Sequence, residues 1–305
     1  MKNKIAIASA FIAASSFSFA EIALTEGFSV EGFIDTGYTD DSTNNASFDL
    51  NEVEVSFLFE SGTVSARVDT QYTNRFVPND DNELGESYVG EIDQAFISYD
   101  VFGGTLSAGL MDSQLGFEAF EAPGLYTNTL AYGQPAQRQA DEAVNFTMSL
   151  DEVSSVGISL INGRAGFIGD NAVGDSTVIE VAYSRDLGNG FGISVGNRSD
   201  EAGDDVLTGY VTYETGAMTF AVEYIDDIDA DSYQLFGNYA YADNASVTVR
   251  YCSVEDGLGA GVDQDFLTLA HQLALADNLS LTTEITDNGL DVNEYQFSAG
   301  LLFTF

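Results

Sequence analysis

Residues 51–72 read NEVEVSFLFESGTVSARVDTQY, two alternating segments joined by a short polar break. One parity is apolar and the other is polar or charged, which predicts two strands with one apolar and one polar face. The break, Ser61-Gly62, carries a glycine of the kind that hairpin turns prefer. The apolar parity holds Val53, Val55, Phe57, Phe59, Val64, Ala66, Val68 and Tyr72, and the polar parity holds Glu52, Glu54, Ser56, Ser65, Arg67, Asp69 and Gln71.

The same alternation recurs along the chain and predicts about sixteen strands. Across these segments the middle of the apolar face carries no formal charge, as expected where that face meets lipid. The predicted segments are Phe28–Thr39, Phe48–Glu60, Thr63–Tyr72, Ile92–Val101, Thr105–Met111, Glu142–Leu150, Ser154–Ile161, Thr177–Arg185, Phe191–Asn197, Leu207–Glu214, Met218–Tyr224, Tyr233–Ala242, Ser246–Cys252, Phe266–Leu275, Leu279–Thr286 and Asn293–Phe305.

The connections alternate between short and long. Breaks after even-numbered segments are tight, as at Ser61-Gly62 and Asp243–Ala245, whereas Thr73–Glu91, Asp112–Asp141 and Asn162–Ser176 are long. A soluble two-sheet sandwich also has alternating strands but has no reason for this regularity. Short and long connections in turn, with an even strand number, predict an all-β, antiparallel up-and-down transmembrane barrel.

Both ends of the chain fit an exported barrel. Lys2, Lys4, a short apolar run and Ser18-Phe19-Ala20 predict a signal peptide over residues 1–20, with the barrel over 21–305. A retained N-terminal anchor is the alternative. At the other end, an aromatic-rich face finishes on Phe305, and this strand must pair with the first to close the barrel. These features predict an outer-membrane location in a Gram-negative-type bacterium.

The charge balance is strongly acidic. Without residues 1–20, seven arginines stand against 49 acids, a formal charge of −42 (7 − 49). This excess argues against nucleic acid as a partner. It is consistent either with a cation-favouring pore or with general adaptation to salty surroundings. The lone Cys252 rules out an internal disulfide.

The longest connection is a candidate constriction. Residues 112–141, after the fifth predicted strand, are rich in apolar and aromatic side chains such as Leu115, Phe117 and Tyr126. A long loop of this composition is expected to pack rather than remain disordered. We expect it to fold into the barrel and narrow the channel.

Three stretches carry a family resemblance: Gly109–Pro123, Asp49–Glu54 and Asp93–Tyr99. They resemble the OmpL-like β-barrel porins, in which a strand ends in a similar Gly-x-x-x-x-x-x-Gly-aromatic-Glu run. The motifs cover a small part of the chain. What the resemblance implies is a pore for small hydrophilic solutes, with no catalytic residue to carry over.

The charged residues suggest how such a pore would select. We hypothesise a constriction in which Arg67, with Arg138 near the loop's exit, faces the loop acids Asp112, Glu118 and Glu121. Carboxylates in a narrow channel favour cations, and ordinary solvated lumen charges are the alternative. The residues predicted to line the pore are Glu52, Glu54, Asp69, Glu180, Glu223, Arg250 and Glu284.

Other site chemistries are weaker. The acidic clusters 79–83 and 226–231 lack the ligand spacing of a calcium loop and are interpreted as solvated loops. His271, the one histidine, lies on either face of its strand depending on register, so an enzyme is not expected and neither metal nor cofactor is predicted.

The expected partners are outer-membrane lipid, small hydrophilic solutes, cations and two further copies in a homotrimer. A channel specific for one nutrient and a non-conducting structural or surface-binding barrel remain alternatives to a general pore.

Overall fold

The structure is a computed structural model that describes residues 21–41, 46–78, 84–119, 121–129, 141–162, 177–199, 205–227, 231–255, 263–287 and 295–305. The predicted signal peptide lies outside these residues. Within them, no helix combines the length and the apolar character needed to cross a membrane.

Seventeen strands form one sheet. Their bounds are β1 Ile22–Thr25, β2 Phe28–Asp41, β3 Ser47–Ser61, β4 Val64–Pro78, β5 Leu84–Val101, β6 Gly104–Met111, β7 Asp141–Ser149, β8 Ser154–Asn162, β9 Thr177–Gly188, β10 Phe191–Ser199, β11 Val206–Thr215, β12 Met218–Asp227, β13 Ser232–Ala242, β14 Ala245–Val254, β15 Gln264–Ala276, β16 Leu279–Asp287 and β17 Tyr295–Thr304.

Strands β2 to β17 close into an antiparallel barrel of sixteen strands, as predicted. Each pairs with the next along the chain, and β17 pairs with β2 through contacts such as Leu301 with Thr36. The closure extends to the last residue, since Phe305 and Gly32 exchange two backbone hydrogen bonds of 2.9 Å. Closure satisfies the strand edges that a bilayer would otherwise leave without partners.

The additional strand β1 was not predicted. It pairs with the first residues of β2, for example Ile22 with Val30, along the part of the β2 edge that lies beyond Phe305. Four residues are too few for alternation to stand out from neighbouring sequence. The strand extends the barrel wall past the end of β17.

The predicted alternation of short and long connections is confirmed. One end of the barrel carries tight turns, such as the two residues 216–217 between β11 and β12. At another, Phe102 (φ 54°) and Gly103 (φ 80°) are both left-handed, the conformation of a type I′ hairpin turn.

The predicted long loop Thr73–Glu91 is wrong. Its two halves extend β4 to Pro78 and start β5 at Leu84, and their backbones pair, as at Thr73 with Val89. A membrane-crossing strand needs about 9–11 residues, whereas β5 has 18. The extension therefore projects past the bilayer, where an apolar face is not needed and the alternation fades from the sequence.

Burial is inverted relative to a soluble protein. On β12 the outward side chains Met218, Phe220, Val222 and Tyr224 are 41–52 % exposed, whereas the inward Glu223 is 1 % exposed. Exposed apolar area on this scale marks a surface that contacts another apolar phase. The outer wall is therefore the lipid face, and the polar parity points into the barrel.

Candidate functional site

The connection between β6 and β7 enters the barrel immediately after β6. Ser113 Oγ and the Gln114 backbone N–H both donate to the carboxylate of Glu180 on β9, at 2.7 and 2.9 Å. Leu115 then packs against Gly196 on β10, where an added Cβ would overlap the leucine side chain. The wall therefore leaves room for the loop at this point.

Aromatic packing holds the next part of the loop against β11 to β13. Phe117 lies 5.2 Å from Phe236 and 5.7 Å from Tyr210 between ring centroids, and Tyr126 lies 4.8 Å from Phe236. The Phe117 N–H donates to Glu223 Oε1 at 2.9 Å. Edge-on aromatic pairs add stability beyond the apolar area that they bury.

Arg250 on β14 forms a buried hub beneath the loop. Its Nη1 donates to both carboxylate oxygens of Glu118, at 3.1 and 3.0 Å, and also to Thr127 Oγ1. It reaches Thr129 through the backbone oxygen and the hydroxyl, both at 2.9 Å. Because Arg250 is fully buried, these contacts join two separate parts of the loop to one wall residue.

The described part of the loop ends against β16 and β17. Glu284 accepts hydrogen bonds from the Asn128 N–H at 2.7 Å and from Thr129 Oγ1 at 2.6 Å. Asn128 Nδ2 also donates to Ser298 Oγ at 2.8 Å. The loop thus follows the inner wall from β9 to β17 and narrows the interior, as predicted.

These contacts correct several predicted placements. Glu180, Glu223, Arg250 and Glu284 do point inward, but the loop covers them. Glu118 of the loop was predicted at the constriction and instead faces the wall, where it pairs with Arg250. Each of the five is at most 6 % exposed. They hold the loop instead of lining open water, because buried carboxylates and guanidinium groups need hydrogen-bond partners and the loop supplies them. We call the inner face of β9–β17 the covered wall.

The inner face of β2–β5 differs, and we call it the acidic wall. Glu52 and Glu54 of β3 and Asp69 of β4, which were predicted to line the pore, lie on it. Glu54 and Asp69 are 1 % and 0 % exposed, so they do not line open water. A bulge in β5 sets Asp93 and Gln94 together opposite Asp69, because Val68 pairs with Ala95 whereas Thr70 pairs with Ile92. Bulges redirect side chains in this way.

Arg67 of β4 is held by this wall. Its Nε lies 2.7 Å from Asp69 Oδ2, its Nη1 3.3 Å from Glu31 Oε1, and its Nη2 3.9 Å from Glu54 Oε1. The sequence predicted that Arg67 would face the loop acids, yet its closest contacts are acids of the barrel wall.

Asp112 and Glu121 of the loop lie next to the acidic wall. Carboxylate oxygens of Glu54, Asp69 and Glu121 lie within 4.8 Å of one another, and so do those of Asp93, Asp112 and Glu121. Gln94 joins the two loop acids by donating to Glu121 Oε1 at 3.4 Å and accepting from the Asp112 N–H at 3.3 Å.

The pKa values of both loop acids, Asp112 and Glu121, are raised. Burial raises the pKa of Asp112 to about 7, with contributions from Asp93 and Glu121, while Arg67 opposes the shift. Burial likewise raises the pKa of Glu121 to about 7; Arg67 opposes this shift, and Asp69 and Asp93 add to it. The constriction therefore changes its charge near neutral pH.

Some residues of this site were missed from the sequence. Glu31 pairs with Arg67, and Asp35 accepts from Asn51 Nδ2 at 3.0 Å. Their position on the polar parity of the first predicted strand was the available signal. The inward position of Asp93 could not be predicted from the alternation of its strand. Asp93 shares the parity of the outward Ala95 and Ile97, and only the bulge turns it inward.

The other residues considered in the sequence analysis are not among the contacts described above. Arg138, residues 79–83 and Asp229 lie outside the described residues. His271 lies on the outward face with Leu267 and Leu269, and its Nε2 is 2.6 Å from the Tyr241 hydroxyl. The histidine thus belongs to the outer surface of the barrel.

A closed sixteen-strand barrel with an apolar outside, a polar inside and an inward loop defines the class of outer-membrane channel barrels. The chain belongs to the Gram-negative porin family, whose family model matches residues 6–292. Its location is accordingly the outer membrane. No match was found among curated proteins.

Solved structures share the fold at low sequence identity. The outer-membrane expressed OmpT of Vibrio cholerae is 14% identical with a TM-score of 0.61, over 93% of this chain and 100% of that one. A mutant of Rh. blastica porin is 15% identical with a TM-score of 0.62, over 91% and 100%. A trimer form of in-vitro folded OmpT is 13% identical with a TM-score of 0.60, over 91% and 99%.

Proposed function

We propose that this porin is a passive diffusion channel whose constriction favours cations and small hydrophilic solutes that are neutral or positively charged. One observation carries the proposal: Asp112 and Glu121 of the loop face Glu54, Asp69 and Asp93 of the acidic wall. Acidic rings select cations by attraction at close range.

The arrangement of positive charge supports the same reading. Arg250 and Glu118 form a buried pair outside the constriction. Arg67 is tied to three wall carboxylates. Among the described residues, this leaves the acids of the constriction in excess over its arginine. An anion entering would meet repulsion that one paired guanidinium does not offset.

Reconstitution into planar bilayers tests the proposal. We expect stepwise conductance, and under a potassium chloride gradient a reversal potential of the cation-selective sign. A potential of the anion-selective sign would overturn the cation preference, and the absence of steps from correctly folded protein would indicate a non-conducting barrel. Saturable block by a single nutrient would replace general diffusion with a specific channel.

Two finer assignments belong to the proposal. Three copies in the membrane agree with the trimer form described for Vibrio cholerae OmpT, and cross-linking in native membranes would test them. The three stretches that resemble OmpL-like porins supply Glu54, Asp93, Asp112 and Glu121 to one constriction, which supports membership of that subgroup.

A further inference from the structure

The constriction contains a buried carboxylate oxygen that lacks a partner. Glu54 is 1 % exposed, and Ser56 donates to its Oε1 at 3.0 Å. Its other oxygen, Oε2, accepts no hydrogen bond from any described residue. A buried charged oxygen without a partner is costly. Arg67 reaches only the other oxygen, Oε1, at 3.9 Å, so a further positive group could be accommodated at Oε2.

Other oxygens of the right kind surround this one. Carboxylate oxygens of Glu54, Asp69 and Glu121 lie within 4.8 Å of one another, and Glu121 also lies within 4.8 Å of Asp93 and Asp112. Calcium binds carboxylate and amide oxygens at about 2.3–2.6 Å, so two ligands on opposite sides of one ion are about 5 Å apart. The spacing fits a single calcium ion.

We propose that the constriction binds a calcium ion between Glu54, Asp69 and Glu121, with Asp93 and Asp112 alongside. The ligand set contains hard oxygen donors from β3, β4 and the loop, which suits calcium over softer metals. Arg67 Nε donates to both oxygens of Asp69, at 2.9 and 2.7 Å, and Arg67 Nη2 lies 3.9 Å from Glu54 Oε1. The ion would therefore approach from the Glu54 Oε2 and Glu121 side.

Such an ion would link the loop to the acidic wall. The loop contacts the covered wall through hydrogen bonds, aromatic packing and the Arg250–Glu118 ion pair. At the acidic wall, Glu121 meets carboxylates that repel it, the charge of Arg67, and the long Gln94 contact of 3.4 Å. A divalent ion would convert that repulsion into attraction. It would also lower the negative charge that a permeating cation meets, so the inference deepens the proposed function.

Calorimetry on detergent-folded protein, stripped of metal and titrated with calcium chloride, tests the site directly. We expect saturable binding by the wild type, weakened about tenfold or more in Glu121→Gln because a ligand is lost. Glu60→Gln is the matched control, since it removes an exposed carboxylate from β3 outside the cluster. Equal binding by wild type and Glu121→Gln, or no saturable binding, would overturn the site. Tighter binding of magnesium than calcium would overturn the choice of ion.

Conductance separates this inference from the proposed function. Millimolar calcium should reduce the preference for potassium over chloride in the wild type and in Glu60→Gln. In Glu121→Gln, calcium should leave this preference unchanged. If the channels are cation-selective, their selectivity does not respond to calcium, and the protein binds no calcium, then the calcium site is refuted and the proposed pore is retained. Saturable, Glu121-dependent binding by a barrel without channel activity would retain the site and refute the pore.

Discussion

Arg250 and Arg67, both inside the barrel, show two uses of the same side chain. Arg250 is fully buried, and it joins Glu118, Thr127 and Thr129 of the loop to the covered wall. Arg67 is partly exposed, with 27% of its side chain accessible, and it contacts acids of its own wall. The first arginine joins the loop to the wall, whereas under the proposed function the second adjusts the charge that a solute meets.

The covered and acidic walls differ in the same way. On the covered wall, each buried glutamate accepts hydrogen bonds from loop N–H or hydroxyl groups, as Glu284 does from Asn128 and Thr129. On the acidic wall, carboxylates face other carboxylates. Polar groups that satisfy one another give a rigid support, whereas unsatisfied like charges give a binding surface. The support and the selectivity can therefore be altered separately.

Removing Arg250 should have the largest effect. In Arg250→Met, Glu118 stays buried without its counter-ion, and breaking a buried pair costs about 3–5 kcal/mol. We expect the loop to detach, giving larger and fluctuating single-channel conductance and faster proteolysis within the loop. The strands should keep their circular dichroism spectrum, because barrel closure does not depend on the loop.

The double variant Arg250→Met with Glu118→Met is the control for this prediction. Removing both charges leaves no unpaired group, so steadier conductance than in the single variant is expected. If the single variant conducts as quietly as the wild type, Arg250 does not hold the loop.

Titration of the constriction should have an intermediate effect. A carboxyl with its pKa raised to about 7 is neutral below that pH and charged above it, which applies to both Asp112 and Glu121. The preference for potassium over chloride should therefore rise between about pH 6 and about pH 8. The rise is roughly thirtyfold if each of the two charges, at about 8 Å in water, attracts potassium and repels chloride by about 0.5 kcal/mol.

The groups that face these two acids set the midpoint of the titration. They are Asp93 and Gln94 of β5, Arg67 and Asp69 of β4, Glu54 of β3 and Glu31 of β2. The double variant Asp112→Asn with Glu121→Gln should lose the rise in selectivity over this range. A rise of equal size in that variant would assign the titration to other groups.

The sequence predicted the barrel because lipid enforces its pattern. Outward residues such as Phe220 and Val222 must be apolar wherever a strand crosses the bilayer, and this requirement shows as alternation. The pattern fades where that requirement ends, which explains why β1 and the outer halves of β4 and β5 were missed. The inward loop was predicted because its aromatic residues needed a surface to pack on.

Contacts inside the barrel could be predicted only in part. Parity placed Glu180, Glu223 and Glu284 inside, but it could not indicate that backbone N–H groups of a loop far along the chain would cover them. Parity also misplaces Asp93, since a one-residue bulge reverses the face to which it points. Such contacts depend on the three-dimensional course of the loop, which has no periodic signature.

Removing Arg67 should have the smallest effect, which sharpens the contrast with Arg250. Arg67→Gln deletes one positive charge from a wall that stays acidic, so the sign of the selectivity is retained. Because Arg67 also lowers the pKa of Asp112 and Glu121, the comparison is made well above pH 7, where both acids stay charged without it. There the preference for potassium over chloride should rise by about sixfold, since one charge at about 8 Å in water changes the energy of each ion by about 0.5 kcal/mol in opposite directions. Loop proteolysis should match the wild type, because the described contacts that hold the loop to the covered wall do not involve Arg67. Reversal potentials and loop proteolysis, measured for Arg67→Gln and Arg250→Met under the same conditions, test this contrast. A detached loop in Arg67→Gln, or a shift toward anions, would show that the two arginines do not divide support and selectivity between them.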